Sequence, residues 1–188
     1  MPNYIHANPK RRITMEDLDK MVQSDAAAWV KTLTIFLYFF GARISEALAM
    51  KPTDFSIYKL GRKTYLEIYC PTLKKHKKKG EENPKPPEPR RLYAPIEAPY
   101  IQPLYEYVKN ISRPRVWPYT RQYARKKIQQ VLPTTSPHCF RHSRLDSFAQ
   151  HDESAFSLQS WAGWSDLRPA RAYVQAVDTR KMADRNLR

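Results

Sequence analysis

The residues of this chain best equipped for chemistry are two arginines and a late tyrosine. Arg43 stands in the run Gly41-Ala42-Arg43-Ile44-Ser45-Glu46, and Arg141 in Pro137-His138-Cys139-Phe140-Arg141-His142. Two guanidiniums can grip both non-bridging oxygens of one phosphodiester through planar forks of donors, a geometry that an ammonium group cannot offer. Tyr173 near such a clamp reads as a nucleophile. A phenol with an ordinary pKa near 10 attacks phosphorus only when its proton is removed or its anion is held in a concentrated positive field. His138, in a His-x-x-Arg pair with Arg141, is the candidate for proton transfer and phosphate contact. Glu46, one helical turn beyond Arg43, is placed to orient that guanidinium. The bland readings differ in weight. An isolated arginine at a helix end is usually a solvated charge, but Arg43 follows an intensely apolar run and needs a partner. Most of the 12 tyrosines are packing residues with a wet end, and only its relation to Gly163 and Trp164 sets Tyr173 apart. His142 and His151 read as structural or backbone-contacting.

Local patterns indicate the elements that must bring these residues together. Thr14-Met15-Glu16-Asp17 carries a capping-box signal for a short first helix. Trp29, Leu33, Phe36, Leu37 and Phe40 recur at helical spacing, which predicts one long helix over about 25–50, with Arg43 in its last turns and Pro52 closing it. Runs at 55–60 and 64–69 joined by Gly61-Arg62-Lys63 read as a β-hairpin, and 90–96 as a further strand. Between them, a lysine run followed by four prolines over 81–89 resists regular structure and reads as a mobile loop. Helices are expected near 100–110, 120–132, 137–150, 153–162 and 168–177. In the third of these, Ser136 is a plausible N-cap and Pro137 a natural first residue, so His138 and Arg141 would project from a helix N-terminus whose free amides and dipole favour an anion. Gly163 reads as a C-cap. The fold class is α+β, mainly helical with a small antiparallel sheet.

Composition points to the partner. The chain has 188 residues, with 33 Lys+Arg against 18 Asp+Glu and a formal charge of +15, a field that attracts polyanions and makes their binding salt-sensitive. Nucleic acid is the default. No stretch sets its Lys/Arg beside an apolar face, and the longest apolar run, 26–42, is shorter than a bilayer span and contains Lys31, so no membrane association is expected. Cys70 and Cys139 lack metal-ligand spacing and read as reduced thiols of an intracellular protein.

Taken together, these residues resemble the tyrosine recombinases, the phage-integrase superfamily, over about residues 13–177. The family pattern is an Arg in Gly-x-Arg-x-Ser-Glu, a Lys on a β-hairpin, His-x-x-Arg, a His or Trp after a Gly, and a Tyr about nine residues later. It falls here on Arg43, Lys74 or Lys75, His138 with Arg141, Trp164, and Tyr173. The resemblance implies the catalytic-domain fold of that family and attack by Tyr173 to give a 3′-phosphotyrosyl intermediate. Arg43 and Arg141 would stabilise the transition state, and a loop lysine would protonate the leaving 5′ oxygen. Neither metal nor other cofactor is implied. Lys74 comes first after the strand and is favoured, although the run Lys74 to Lys79 offers five lysines. Trp164 replaces the commoner His; an indole can donate one hydrogen bond but cannot shuttle a proton, which leaves acid–base work to His138 and the lysine.

Lys75, Lys77, Lys78, Arg121, Arg125 and Lys126 are the candidate DNA contacts. With Arg113 and Arg115, and with Trp117, Tyr119 and Tyr123 interleaved, the stretch over 113–127 reads as a phosphate-tracking surface. The expected partner is double-stranded DNA, bound as a homo-tetramer, with a monomer open for the isolated domain. Residues 1–13 read as a basic linker, 14–177 as the catalytic domain and 178–188 as a basic tail. Relatives usually carry a further N-terminal DNA-clamping domain, so the chain reads as a fragment or a minimal enzyme. Two alternatives use the same residues: a type IB topoisomerase-like enzyme or telomere resolvase that cuts and reseals, and a DNA-binding module that retains only the fold.

Overall fold

The computed structural model describes residues 11–73, 88–151 and 154–174. Helix α1, Met15–Gln23, starts where the sequence signals it: Asp17 N–H donates to Thr14 Oγ1 at 3.3 Å, and Thr14 N–H donates back to the Asp17 carboxylate at 3.2 Å. Helix α2, Ala28–Phe40, is apolar on nearly every side and forms the central rod of the domain. Its buried Thr32 and Thr34 hydroxyls donate to the Ala28 and Val30 carbonyls one turn back, so neither is left unsatisfied.

The single helix expected over 25–50 is two helices. Gly41 ends α2 in the left-handed region at φ 58°, and α3 restarts at Ile44–Ala49 with Arg43 as its extended N-cap. Apolar periodicity continues through the break because both helices bury against the same core, so spacing alone could not reveal the turn. The turn sets Arg43 at the mouth of a helix rather than along its side.

After a 3₁₀ turn at Pro52–Asp54 come β1, Phe55–Leu60, β2, Lys63–Cys70, and β3, Arg90–Pro95. They form an antiparallel sheet in the order β1-β2-β3. The last pair in its register is Cys70 opposite Arg90, so the segment joining β2 to β3 leaves and returns at one corner of the sheet. Helices α4, Ile101–Lys109, α5, Arg121–Val131, α6, Pro137–Gln150, α7, Ala155–Ala162, and α8, Arg168–Val174, complete the described fold.

One main core joins α2 to α1, α4, α5, α6 and the buried face of the sheet through Leu33, Phe36, Leu37, Phe40, Leu66, Ile68, Leu92 and Phe140. A smaller cluster of Leu145, Ala149, Leu158, Ala162 and Ala170 seats α7 and α8 on the outer side of α6. Trp161 packs against both clusters, and its indole N–H donates to the Phe40 carbonyl at 3.0 Å. Trp117, expected at a nucleic-acid surface, is instead fully buried and donates its N–H to Thr32 Oγ1 at 3.2 Å. Its bulk stabilises more inside the core than on the surface.

Candidate active site

Arg43 and Glu46 meet because α3 begins between them. Arg43 N–H donates to Glu46 Oε2 at 2.9 Å, closing the first turn, and the Arg43 guanidinium donates to Glu46 Oε1 at 2.8 Å. Glu46 is fully buried and also accepts from Arg90 at 2.8 Å. Burial alone would raise its carboxyl, but Arg90 and the contacts from Arg43 outweigh it and hold Glu46 below the ordinary carboxylate value. Arg90 donates as well to the Cys70 sulfur at 3.2 Å and to the Ala162 carbonyl.

Arg141 is 3% exposed and donates to two backbone carbonyls, Gly41 O at 2.9 Å and Ala162 O at 2.7 Å. Both lie where a helix ends, Gly41 capping α2 and Ala162 closing α7. Helix C-termini present unpaired carbonyls and the negative end of the dipole, so a cation buried between two of them is held where the backbone wants charge. These bonds use only part of the guanidinium's fork of donors. Burial first, then repulsion from Arg43 and Arg90, lowers Arg141 to about 10. Three guanidiniums against the single Glu46 carboxylate leave a field that an added anion would relieve.

Helix α8 brings the tyrosine to this junction. Trp164 follows the C-cap Gly163, which adopts φ 64°, and its ring lies 5.5 Å from the Arg141 guanidinium and stacks at 5.8 Å on Tyr173. The Tyr173 hydroxyl meets His142 Nδ1 at 2.5 Å. Burial and, second, the charge of Asp146 push this phenol up to about 12, against the pull of Arg141. The His142 ring in turn touches His138 edge-on, with centroids 4.5 Å apart. His138 and Arg43 both line an open cleft of about 950 Å³, together with Ser45, Leu73, Arg121 and Arg125.

Contacts thus run unbroken from Arg43 through Glu46, Arg90, the Ala162 carbonyl, Arg141, Trp164, Tyr173 and His142 to His138, and the cleft closes the ring. Five of the six residues expected at a catalytic centre, Arg43, His138, Arg141, Trp164 and Tyr173, are on it, and so is Glu46. Arg141, expected to project from the start of α6, turns inward to the ends of α2 and α7. Ser136 has the extended backbone of an N-cap without the side-chain bond, its hydroxyl resting 3.3 Å from the Cys139 sulfur.

Lys74, Lys75, Lys77 and Lys78 lie outside the described residues. Leu73, the last described residue before them, lines the cleft. Arg121 and Arg125 line it too, and Lys126 is exposed on the same helix. Tyr119 and Tyr123 pack on Trp29 at 3.9 and 5.7 Å, which ties α5 and the turn before it to α2, while Tyr123 stays 44% exposed. Arg113 donates to the Val116 carbonyl and the Tyr107 hydroxyl.

Sequence reading missed two members of the ring. Arg90 was available as a signal: strand alternation must turn one of Arg90 and Arg91 inward, and a buried arginine demands a carboxylate. His142 was read as structural, yet it holds the phenol of a residue 31 positions away. His151 does contact backbone, with Nδ1 2.7 Å from the Ser147 carbonyl. Among the described residues no group of three His, Cys, Asp or Glu could hold a metal ion, and no helix is long and apolar enough to cross a membrane.

No family model matches the chain, and neither does any curated protein. Solved structures do. The XerH site-specific recombinase in its pre-cleavage complex with difH substrate has a TM-score of 0.62 at 18% identity, covering 90% of this chain and 50% of that one. The Tn1549 transposon integrase in complex with circular intermediate DNA gives a TM-score of 0.62 at 17% identity, over 96% of this chain and 68% of that one. The catalytic domain of bacteriophage HP1 integrase gives 0.59 at 13% identity, over 92% and 91%. The fold is that of the tyrosine recombinase catalytic domain, mainly helical with a three-stranded antiparallel sheet. The chain spans half the length of the XerH chain it matches.

Proposed function

We propose that the chain is the catalytic domain of a site-specific DNA recombinase or integrase, cleaving and rejoining strands through a 3′-phosphotyrosyl intermediate. The observation that carries this reading is the ring itself. Residues from four separate stretches meet around one cationic junction that opens on a basic cleft, with a phenol at its edge. A scissile phosphodiester in the cleft would replace solvent at Arg43 and His138, and reaching inward from there it would accept the remaining donors of the buried Arg141. Negative charge growing on the non-bridging oxygens then meets preorganised donors that need not reorient, the arrangement that lowers such barriers most. Tyr173 attacks phosphorus, the bond to the 5′ oxygen breaks, and the tyrosyl ester keeps the phosphodiester's energy for religation. His138, on the cleft wall, serves proton transfer and phosphate contact. Protonation of the leaving oxygen is assigned to the lysine run after Leu73, with Lys74 first. Double-stranded DNA is the proposed partner, a reading supported by the Tn1549 integrase in complex with circular intermediate DNA and by the XerH recombinase bound to its difH substrate, and a homo-tetramer the proposed assembly.

The test is covalent trapping. A pool of nicked duplexes with randomised sequence is incubated with the chain, and adducts that survive denaturation are recovered and sequenced. Wild type is expected to yield adduct and Tyr173→Phe none. Arg43→Ala and Arg141→Ala should each lower adduct formation by about 10²–10³, the cost of removing one preorganised donor group. Duplex affinity should change little, since many other cations share the load. Absence of adduct from wild type and Tyr173→Phe alike would leave a DNA-binding module. Strand exchange between two trapped duplexes separates a recombinase from an enzyme that only cuts and reseals.

A further inference from the structure

We propose that His142 is the group that takes the phenolic proton of Tyr173 during attack and returns it on religation, an inference resting on the strand-cleavage reading above. The contact is direct. The Tyr173 hydroxyl lies 2.5 Å from His142 Nδ1, and the two rings lie nearly parallel at 28°. For that bond to run from hydroxyl to imidazole, the ring must be neutral with its hydrogen on Nε2. Such a ring can accept one proton without rearranging.

Among the described residues, the other polar groups near the phenol are less suited. His138 touches His142 rather than Tyr173, standing edge-on to the imidazole. Asp146 acts on the phenol through its charge, which opposes ionisation, and it pairs with Arg12 at 3.8 Å. Arg141 is a permanent cation at the working pH and accepts nothing. Trp164 has only a donor. With the phenol pushed up to about 12, roughly one molecule in 10⁵ carries a phenolate at pH 7, so an acceptor in contact is worth a large factor.

The step balances. The O–H bond of Tyr173 breaks as its oxygen bonds to phosphorus, and the proton passes to His142 Nδ1. The bond from phosphorus to the 5′ oxygen breaks, and that oxygen takes its proton from the general acid. Religation runs the same events backwards, with the imidazolium reprotonating the departing phenolate. His138 stands between this imidazole and the cleft wall.

Glutamine at 142 can accept a hydrogen bond but cannot take up a proton, so His142→Gln separates base from prop. On a duplex recovered by trapping, single-turnover adduct formation should fall about 10²–10³-fold in His142→Gln. Its rate should lose the acid limb that protonation of the imidazole gives wild type and climb with pH instead. A 5′-bridging phosphorothiolate, whose sulfur leaves without a proton, should not restore it. Equal rates for wild type and His142→Gln, or full rescue by the sulfur substrate, overturn the proposal while leaving the cleavage reading intact. No adduct from wild type overturns both. A second measurement needs neither DNA nor that variant: in Tyr173→Phe, which loses one oxygen, the ¹⁵N resonance of His142 Nδ1 should move and its titration shift. An unchanged resonance overturns the proposal.

Discussion

Glu46 has no exposure, yet three donors converge on it: the Arg43 backbone, the Arg43 guanidinium and Arg90. A buried carboxylate is stable only because those donors exceed the cost of leaving water, and removing one member of such a pair leaves the rest uncompensated. Since the folded carboxyl lies below its ordinary 4.5, the stability it confers is complete above that pH and lost as pH falls through the lower folded value. Glu46→Gln should therefore cost about 3 kcal/mol at pH 7, measured by urea unfolding. The gap from wild type should narrow as pH falls below 4.5. A gap that stays constant down to pH 3 would mean that Glu46 is not ionised in the fold. This residue was legible in the sequence because its partner sits one turn away. That one of Arg90 and Arg91 turns inward was readable from strand alternation, but the partners of Arg90 and His142 were not, because they are set by how strands and helices dock and no local period records that.

Helix ends, more than helices, build the site. Gly41 and Gly163 cap α2 and α7 in the left-handed region, and the carbonyls of Gly41 and of Ala162, just before Gly163, accept from Arg141. Gly163 was readable as a cap because a tryptophan and a polar turn follow it. Gly41 was not, because apolar residues continue on both sides. The glycines offer a graded test. Gly61, at φ 58° in the hairpin turn, has nothing within 4 Å of where a Cβ would stand, so Gly61→Ala should cost only the left-handed penalty, about 1 kcal/mol. At Gly41 an added Cβ would meet the Arg144 side chain at 3.2 Å, so Gly41→Ala should cost more. At Gly163 it would fall on the Arg90 guanidinium, inside the buried network, and Gly163→Ala should cost most and weaken cleavage beyond its loss of stability. Chemical unfolding gives the order; Gly61→Ala matching Gly163→Ala would show that the network does not depend on close approach there.

At the scale of the whole molecule, a chain of formal charge +15 gains from a polyanion that relieves its self-repulsion. That much was legible from composition, but which cations face the ligand was not. The fold divides them: Arg90 and Arg141 are buried in the junction, Arg113 is turned onto its own loop, and Arg121 and Arg125 face the cleft shared with Arg43 and His138. Aromatic stacking on Trp29 fixes α5 to α2, so its basic face keeps a set position relative to the rest of the cleft. Phosphate contacts from such a face release counterions, which makes the logarithm of the binding constant fall linearly with the logarithm of salt concentration. Arg121→Ala, Arg125→Ala and Lys126→Ala should each weaken duplex binding about equally for all sequences and reduce that slope by about 1. On the proposed reading, cleavage at saturating DNA should persist, because these groups would position the backbone without touching the reacting atoms. Fluorescence anisotropy across a salt series checks it: affinity lost with an unchanged slope would mean that α5 binds through contacts other than phosphate, and the cleft would not be the DNA path.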